Sequence, residues 1–304
     1  MGAYRHVGRR TRAASAFDFL NTILYLVLTF VCLYPFYYLI INSLSANNLS
    51  AAGDITWIPR GLHLSNYGDV LKLPGLGNAM FISVARTVIG SACTVLASAF
   101  LGYLFSKQNF WRRKLWYRFV IVTMYFSAGL IPAYMNIYML GLINNFWVYI
   151  LPAIVSPYSM ILVKTYIEST PASLQEAAQV DGAGPFKIFC LVVLPIIMPI
   201  IATILTFSAV GQWNAFQDNL IYMTTSKLNT LQYTLYRYIN QATMLANLIR
   251  DSQDAEMAAD LMRQQNPVSV NMTVSVIVIL PILFVYPFMQ KYIVKGILMG
   301  AVKG

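Results

Sequence analysis

Thr170-Pro171-Ala172-Ser173-Leu174-Gln175-Glu176-Ala177-Ala178-Gln179-Val180-Asp181-Gly182-Ala183-Gly184-Pro185, running on to Leu194-Pro195, is a short polar interlude between two long apolar runs. Thr170-Pro171 reads as a helix start, a side-chain cap followed by proline at the first position, where no amide hydrogen is missed. Ser173 and Glu176 offer the alternative, a capping box. Either way a short helix runs through Leu174, Ala177 and Ala178. It stops at Asp181-Gly182, where glycine takes the left-handed closing conformation. Gly184-Pro185 opens a second short helix that delivers the chain to Leu194-Pro195 and the next apolar run. The reading is a helix–turn–helix lying at one face of a membrane.

The flanking runs make that face a membrane face. Of the 304 residues, 58% are hydrophobic and 11% charged, against about 25% charged in soluble domains. A helix needs about 20 apolar residues to cross the hydrocarbon. Six stretches reach that length: 19–41, 78–106, 118–140, 143–167, 195–217 and 271–292. The predicted fold is therefore all-α and polytopic, with a segment 1–18, a six-helix domain over 19–292 and a tail at 293–304.

The formal charge of +10 records topology. Arg5, Arg9, Arg10 and Arg12 precede the first run, and Lys107, Arg112, Arg113, Lys114 and Arg118 lie between the second and third. Lys164 and Lys187 flank the fourth-to-fifth connection, and Lys291, Lys295 and Lys303 follow the sixth. Six spans put all of these on one side, which the positive-inside rule makes cytoplasmic, with both termini. The connections 107–117 and 168–194 are then cytoplasmic, and the long ones, 42–77 and 218–270, external. On the external side Arg60, Lys72, Lys227, Arg237, Arg250 and Arg263 nearly balance seven acids, so nothing points to nucleic acid. The first run follows a basic segment but exceeds the apolar stretch of about 7–15 residues in a secretory signal, so it reads as a retained span; small residues around Ser45–Ala52 leave cleavage open.

Inside the runs, Gly90, Thr94, Ser98 and Gly102 recur every fourth residue, a ridge on which another helix packs closely. Arg86 sits one turn before it, where an unpaired charge costs several kcal/mol. A structural pair, snorkelling and a pathway role all remain open for it. Pro195 and Pro199 open the fifth run, and Pro281 and Pro287 interrupt the sixth. No internal repeat completes a pore within this chain, so a second chain is expected. Externally, Thr230 to Arg263 is helix-compatible, with Leu231, Leu235, Ile239, Met244, Leu248 and Ile249 as an intermittent apolar stripe. Cys32, Cys93 and Cys190 form no plausible bridge, and His6 and His63 have no ligands at metal spacing. The absence of a phosphate-binding loop and of any nucleophile–base constellation argues against an enzyme, and no cofactor is expected on this chain.

Glu176-Ala177-Ala178, Gly182 at its offset, and Val192, Leu194 and Pro195 resemble the "EAA" signature of ABC importer permeases, Val192 standing where isoleucine is usual. Asp181-Gly182-Ala183 fits as well. Most of the remaining chain is similar to maltose-type carbohydrate permeases, of the branch associated with complex oligosaccharides. Gly129-Leu130-Ile131-Pro132, Gly141-Leu142, Trp147 to Pro152, Trp213-Asn214, Leu231-Gln232, Tyr286-Pro287-Phe288 and the ending Gly300 to Gly304 carry that likeness. The resemblance implies a type I importer permease fold. It implies a coupling helix docked in a separate ATP-binding subunit through Glu176, Ala177, Ala178, Asp181, Gly182, Ala183, Leu194 and Pro195, with Lys303 and Gly304 assisting. The implied partners are a second permease chain, two ATP-binding subunits carrying ATP and Mg, and an external sugar-binding protein, all at a bacterial inner membrane. A sugar pathway needs amides and aromatic faces, for which Asn136, Tyr138, Asn144, Gln212, Trp213 and Asn214 are candidates. Rival readings are a peptide or phosphonate permease and an ATP-independent secondary transporter or channel.

Overall fold

The computed structural model of the chain describes residues 12–251 and 267–301. Lys303, Gly304, Arg263 and the acids Asp254, Glu256 and Asp260 lie outside the described residues, as do the side chains of Leu248 and Ile249. Among the described residues every regular element is helical. The order is α1 (Arg12–Ser43), α2 (Asn47–Ala52), α3 (Ser65–Leu71), α4 (Leu76–Ser106), α5 (Arg113–Tyr125) and α6 (Leu130–Met139). Two 3₁₀ turns, Phe146–Tyr149 and Leu151–Ala153, lead to α7 (Pro157–Glu168) and α8 (Ser173–Val180). Next come α9 (Pro185–Ile188), a π turn (Phe189–Val193), α10 (Leu194–Ile196) and α11 (Met198–Asn214). The chain continues as α12 (Gln217–Tyr222), α13 (Leu231–Asp251) and α14 (Pro267–Ala301).

Three helical segments are long and apolar enough to cross a membrane unaided: Phe17–Ser43, Leu76–Ser106 and Val270–Pro287. Three bent pairs supply the rest. They are α5 with α6 at 119°, Phe146–Ala153 with α7 at 46°, and Pro185–Ile196 with α11 at 80°. Counting each pair as one span gives six, matching the six apolar runs, but the third, fourth and fifth are not the straight helices their hydropathy suggests. Gly129 at φ 85° breaks the third, a conformation that excludes helix continuation. Ser156 caps α7, its hydroxyl accepting from the Ser159 amide, just before Pro157. At the fifth bend Ile197 leaves helical geometry, φ −86° and ψ 6°, two residues before Pro199, which has no N–H to give. The sixth run corrects the expectation the other way, since α14 continues through Pro281 and Pro287.

The buried centre is α4, against which both α7 and α11 pack. Its small-residue ridge serves both neighbours: a Cβ on Gly102 would stand 2.7 Å from Val163 of α7, and one on Gly90 2.8 Å from Gln212 of α11. Between them, the Thr94 hydroxyl donates to the Ala153 carbonyl at 3.1 Å. In α1, by contrast, the apolar side chains face outward almost throughout, as a lipid-facing span requires. α14 packs on α1, α11 and α13. The stripe on α13 is buried only where that contact exists. Leu231 and Leu235 join Trp213, Val274 and Val278, while Ile239 and Met244 are exposed.

Candidate functional site

Between α6, the 3₁₀ turns, α7 and α11 opens a cavity of about 640 Å³. Its wall mixes apolar groups such as Ile137, Pro152 and Phe207 with the polar side chains of Asn136, Ser156, Tyr158, Ser159, Ser208 and Gln212. Scattered hydroxyls and amides on a largely apolar wall suit a hydrogen-bonding solute.

At one edge of the cavity lies Arg86, 2% exposed. An arginine carries five N–H donors, and the five hydrogen bonds here engage every one. Nε and Nη2 donate to Gln212 Oε1 at 3.2 and 3.1 Å. Nη1 and Nη2 grip Asp218 Oδ1 and Oδ2 at 3.1 and 2.6 Å, and Nη1 also reaches the Ala215 carbonyl at 3.2 Å. The guanidinium lies 4.4 Å from the centre of the Tyr149 ring, a cation–π contact. Of the three roles left open for Arg86, the structural pair is what the geometry displays. One side chain thereby ties α4 to the break between α11 and α12 and to the first 3₁₀ turn. Neither Asp218 nor Tyr149 was singled out from the sequence. The available signal was that an intramembrane arginine needs a carboxylate, and Asp218 is the first acid beyond the fifth run.

Of the six pathway candidates, Asn136 and Gln212 line the cavity. The other four sit elsewhere. Asn144, at φ 55°, is a clip: its Oδ1 accepts from the Thr224 and Thr225 amides and its Nδ2 donates to Thr224 Oγ1. Trp213 points into the α13–α14 packing, with Nε1 donating to the Val278 carbonyl at 3.1 Å. Asn214 turns back to the Val210 carbonyl. Tyr138 is exposed.

The other end of α4 meets the polar interlude between α7 and α11. Its start differs from the sequence expectation. The Thr170 hydroxyl donates back to the Ile167 carbonyl at the end of α7, and α8 begins at an Ala172 cap position. The amides of Leu174, Gln175 and Glu176 bond the Pro171 and Ala172 carbonyls, so backbone alone satisfies donors expected to need a threonine or a capping box. The stop is as read. Gly182 has φ +76°, its amide bonds the Gln179 carbonyl at 3.0 Å, and the Ala183 amide bonds that of Ala178 at 2.9 Å. This is a Schellman closure, in which only glycine is unstrained. Ala178 and Ala183 pack against the core of Tyr103, Val163, Ile188 and Phe189, while Glu176, Ala177, Val180, Asp181 and Phe186 face outward. Two latches hold the assembly to α4. Lys107 Nζ donates to Gln175 Oε1 at 2.6 Å, and Tyr103 OH donates to the Pro185 carbonyl at 2.9 Å. Leu194, half-buried, and Pro195, exposed, stand where this segment enters the bend before α11.

A bundle with bent crossings, an open cavity of mixed polar and apolar lining, and an exposed helix–turn–helix joined to one cavity-lining helix is the architecture of an importer permease. The chain belongs to the binding-protein-dependent transport system inner membrane component family, whose model matches residues 94–299. It is 33% identical over 299 residues to Protein LplC of Bacillus subtilis (strain 168), covering 98% of this chain and 99% of that one. It is 30% identical over 289 residues to the polygalacturonan/rhamnogalacturonan transport system permease protein YtcP of the same organism, covering 95% and 98%. Its structure superposes with a TM-score of 0.82 on a chain of a bacterial ABC transporter involved in the import of the acidic polysaccharide alginate, at 26% identity, covering 94% of this chain and 99% of that one. The chain is thus a permease component of an ABC importer in the inner membrane, working with the other components of such a system.

Proposed function

We propose that this chain forms half of the translocation pathway of an ATP-driven importer of oligosaccharides, with acidic polysaccharide fragments as the favoured class. One observation carries the coupling role: the exposed α8 continues through Gly182, α9, the π turn, α10 and the 80° bend into α11, the helix that presents Phe207, Ser208 and Gln212 to the cavity. A displacement imposed on α8 reaches the pathway along one segment, with Tyr103 and Lys107 as fulcrum. In this reading two ATP-binding subunits hold ATP and Mg and hydrolyse the nucleotide, with Glu176, Ala177, Asp181 and Gly182 at their surface. A second permease chain closes the cavity, and a binding protein delivers sugar at the opposite face. Both termini are cytoplasmic, as the distribution of Lys and Arg supports. The substrate class is supported by the pectic polymers named for YtcP and the alginate named for the structural neighbour.

The test is reconstitution of the complete complex in liposomes, with uptake of labelled trigalacturonate followed with and without ATP. ATP-dependent accumulation is expected. Uptake that ignores ATP, or purification of a functional transporter without any ATP-binding subunit, would overturn the reading in favour of a secondary transporter.

A further inference from the structure

Gln212 is 7% exposed and yet lines the cavity. The orientation of its carboxamide is fixed by chemistry: arginine has donors only, and Nε and Nη2 of Arg86 converge on one amide atom, which must be the oxygen. The nitrogen is therefore turned away from Arg86. One turn further along α4, Gly90 makes room for it, since a Cβ there would stand 2.8 Å from that nitrogen. Among the described residues the two amide hydrogens have no acceptor. The nitrogen is not one of the fully enclosed polar atoms that lack a partner, so it is reachable from the cavity that Gln212 lines and free to donate to a ligand oxygen.

We propose that Gln212 donates from its amide nitrogen to a saccharide oxygen in the cavity, with Arg86 and Gly90 as the residues that position it. The assignment rests on the carbohydrate-import reading and adds a specificity element to it. With all five N–H groups engaged, the Arg86 guanidinium has none left for a uronate carboxylate. Recognition at this edge therefore runs through a neutral donor that serves hydroxyl and carboxylate oxygens alike.

The experiment is uptake of trigalacturonate and of maltotriose by the complete complex in liposomes, with complex yield and basal ATPase activity measured beside it. Gln212→Glu keeps an acceptor for Arg86 but replaces the donor, and should lower uptake per reconstituted complex about tenfold. Gly90→Ala adds no charge and leaves Arg86 its bonds to Asp218 and Ala215, but its Cβ would stand 2.8 Å from the nitrogen and 2.9 Å from Cδ of Gln212, so the carboxamide must shift and uptake should fall about threefold or more. Arg86→Lys, compared at equal amounts of assembled complex, should lower uptake on its own but not further in the Gln212→Glu background, because its effect on uptake passes through residue 212. Wild-type uptake by Gln212→Glu overturns the donor role, and wild-type uptake by Gly90→Ala overturns the placement of the nitrogen. Multiplying losses in the double variant overturn positioning by Arg86. If wild type imports neither probe, the carbohydrate reading itself fails, an outcome no variant result can mimic.

Discussion

The two ends of α4 are held in opposite ways. At the Arg86 end, one charged side chain is bound by residues 126 to 132 positions away in sequence, and the geometry belongs to side chains. At the Lys107 end, the shape of the α8–α9 turn is set by backbone bonds spanning three to five residues and by one left-handed glycine, with side chains only pinning it in place. The first arrangement is rigid because all five N–H groups of the buried Arg86 are paired. The second leaves its outward face unfilled, as a surface that must accept a partner requires. A permease needs both: a fixed pathway wall, and a handle whose shape survives being pushed.

The contrast breaks most sharply at the buried ion pair. Removing one member strands the other charge, which costs about 3–5 kcal/mol. Asp218→Ala is expected to cut the yield of assembled protein severely, read as membrane-inserted, detergent-stable material. The double variant Arg86→Met with Asp218→Leu should recover part of that yield, since no charge is left unpaired. If Asp218→Ala assembles normally, the Arg86 end is not a rigid element.

Gly182→Val comes next. No atom lies within 4 Å of the Cβ position, so the substitution meets no clash, but φ +76° is forbidding for a β-branched residue. Strain of about 1–2 kcal/mol should unwind the closure and displace α8. Uptake is expected to fall at least tenfold while membrane insertion and complex yield persist. Gly182→Asn should retain more activity than Gly182→Val, because asparagine tolerates the left-handed region. Equal loss in both would shift the explanation from backbone conformation to the surface the glycine presents.

The same contrast explains what the sequence made legible. Gly182 could be placed because a Schellman closure is written in consecutive residues, and the six crossings because hydropathy is local. Thr170 misled because its hydroxyl turns back to donate to the Ile167 carbonyl at the end of α7, while α8 opens two residues further on, from Ala172. Trp213 and Asn144 looked like pathway residues by composition, yet which way an aromatic or amide side chain turns depends on partners such as Val278 and Thr224, 65 and 80 positions away. The break of the third run was likewise hidden, since Phe126-Ser127-Ala128-Gly129 is nearly as apolar as its flanks. Asp218 was within reach, but pairing it with Arg86 required knowing that α4 and α11 are neighbours.

The smallest effect is expected at the latch that joins the two modes. Lys107 Nζ bonds Gln175 and sits 4.8 Å from the Tyr103 ring centre. Partial burial holds its pKa below the usual lysine value. The unfolded chain therefore binds more protons than the folded one as pH approaches the lysine range, and this residue's contribution to stability rises with pH there. Lys107→Met should cost about 1 kcal/mol, the worth of one ordinary hydrogen bond, and reduce uptake only a few-fold. It should also flatten the alkaline rise in thermal stability, a shift that denaturation between pH 7 and 10 would register. Because the turn's own geometry survives without the latch, the loss must be smaller than in Gly182→Val. A Lys107→Met variant as inactive as Gly182→Val would mean that side-chain pinning, not backbone closure, gives the handle its stiffness, and the distinction between the two ends of α4 would collapse.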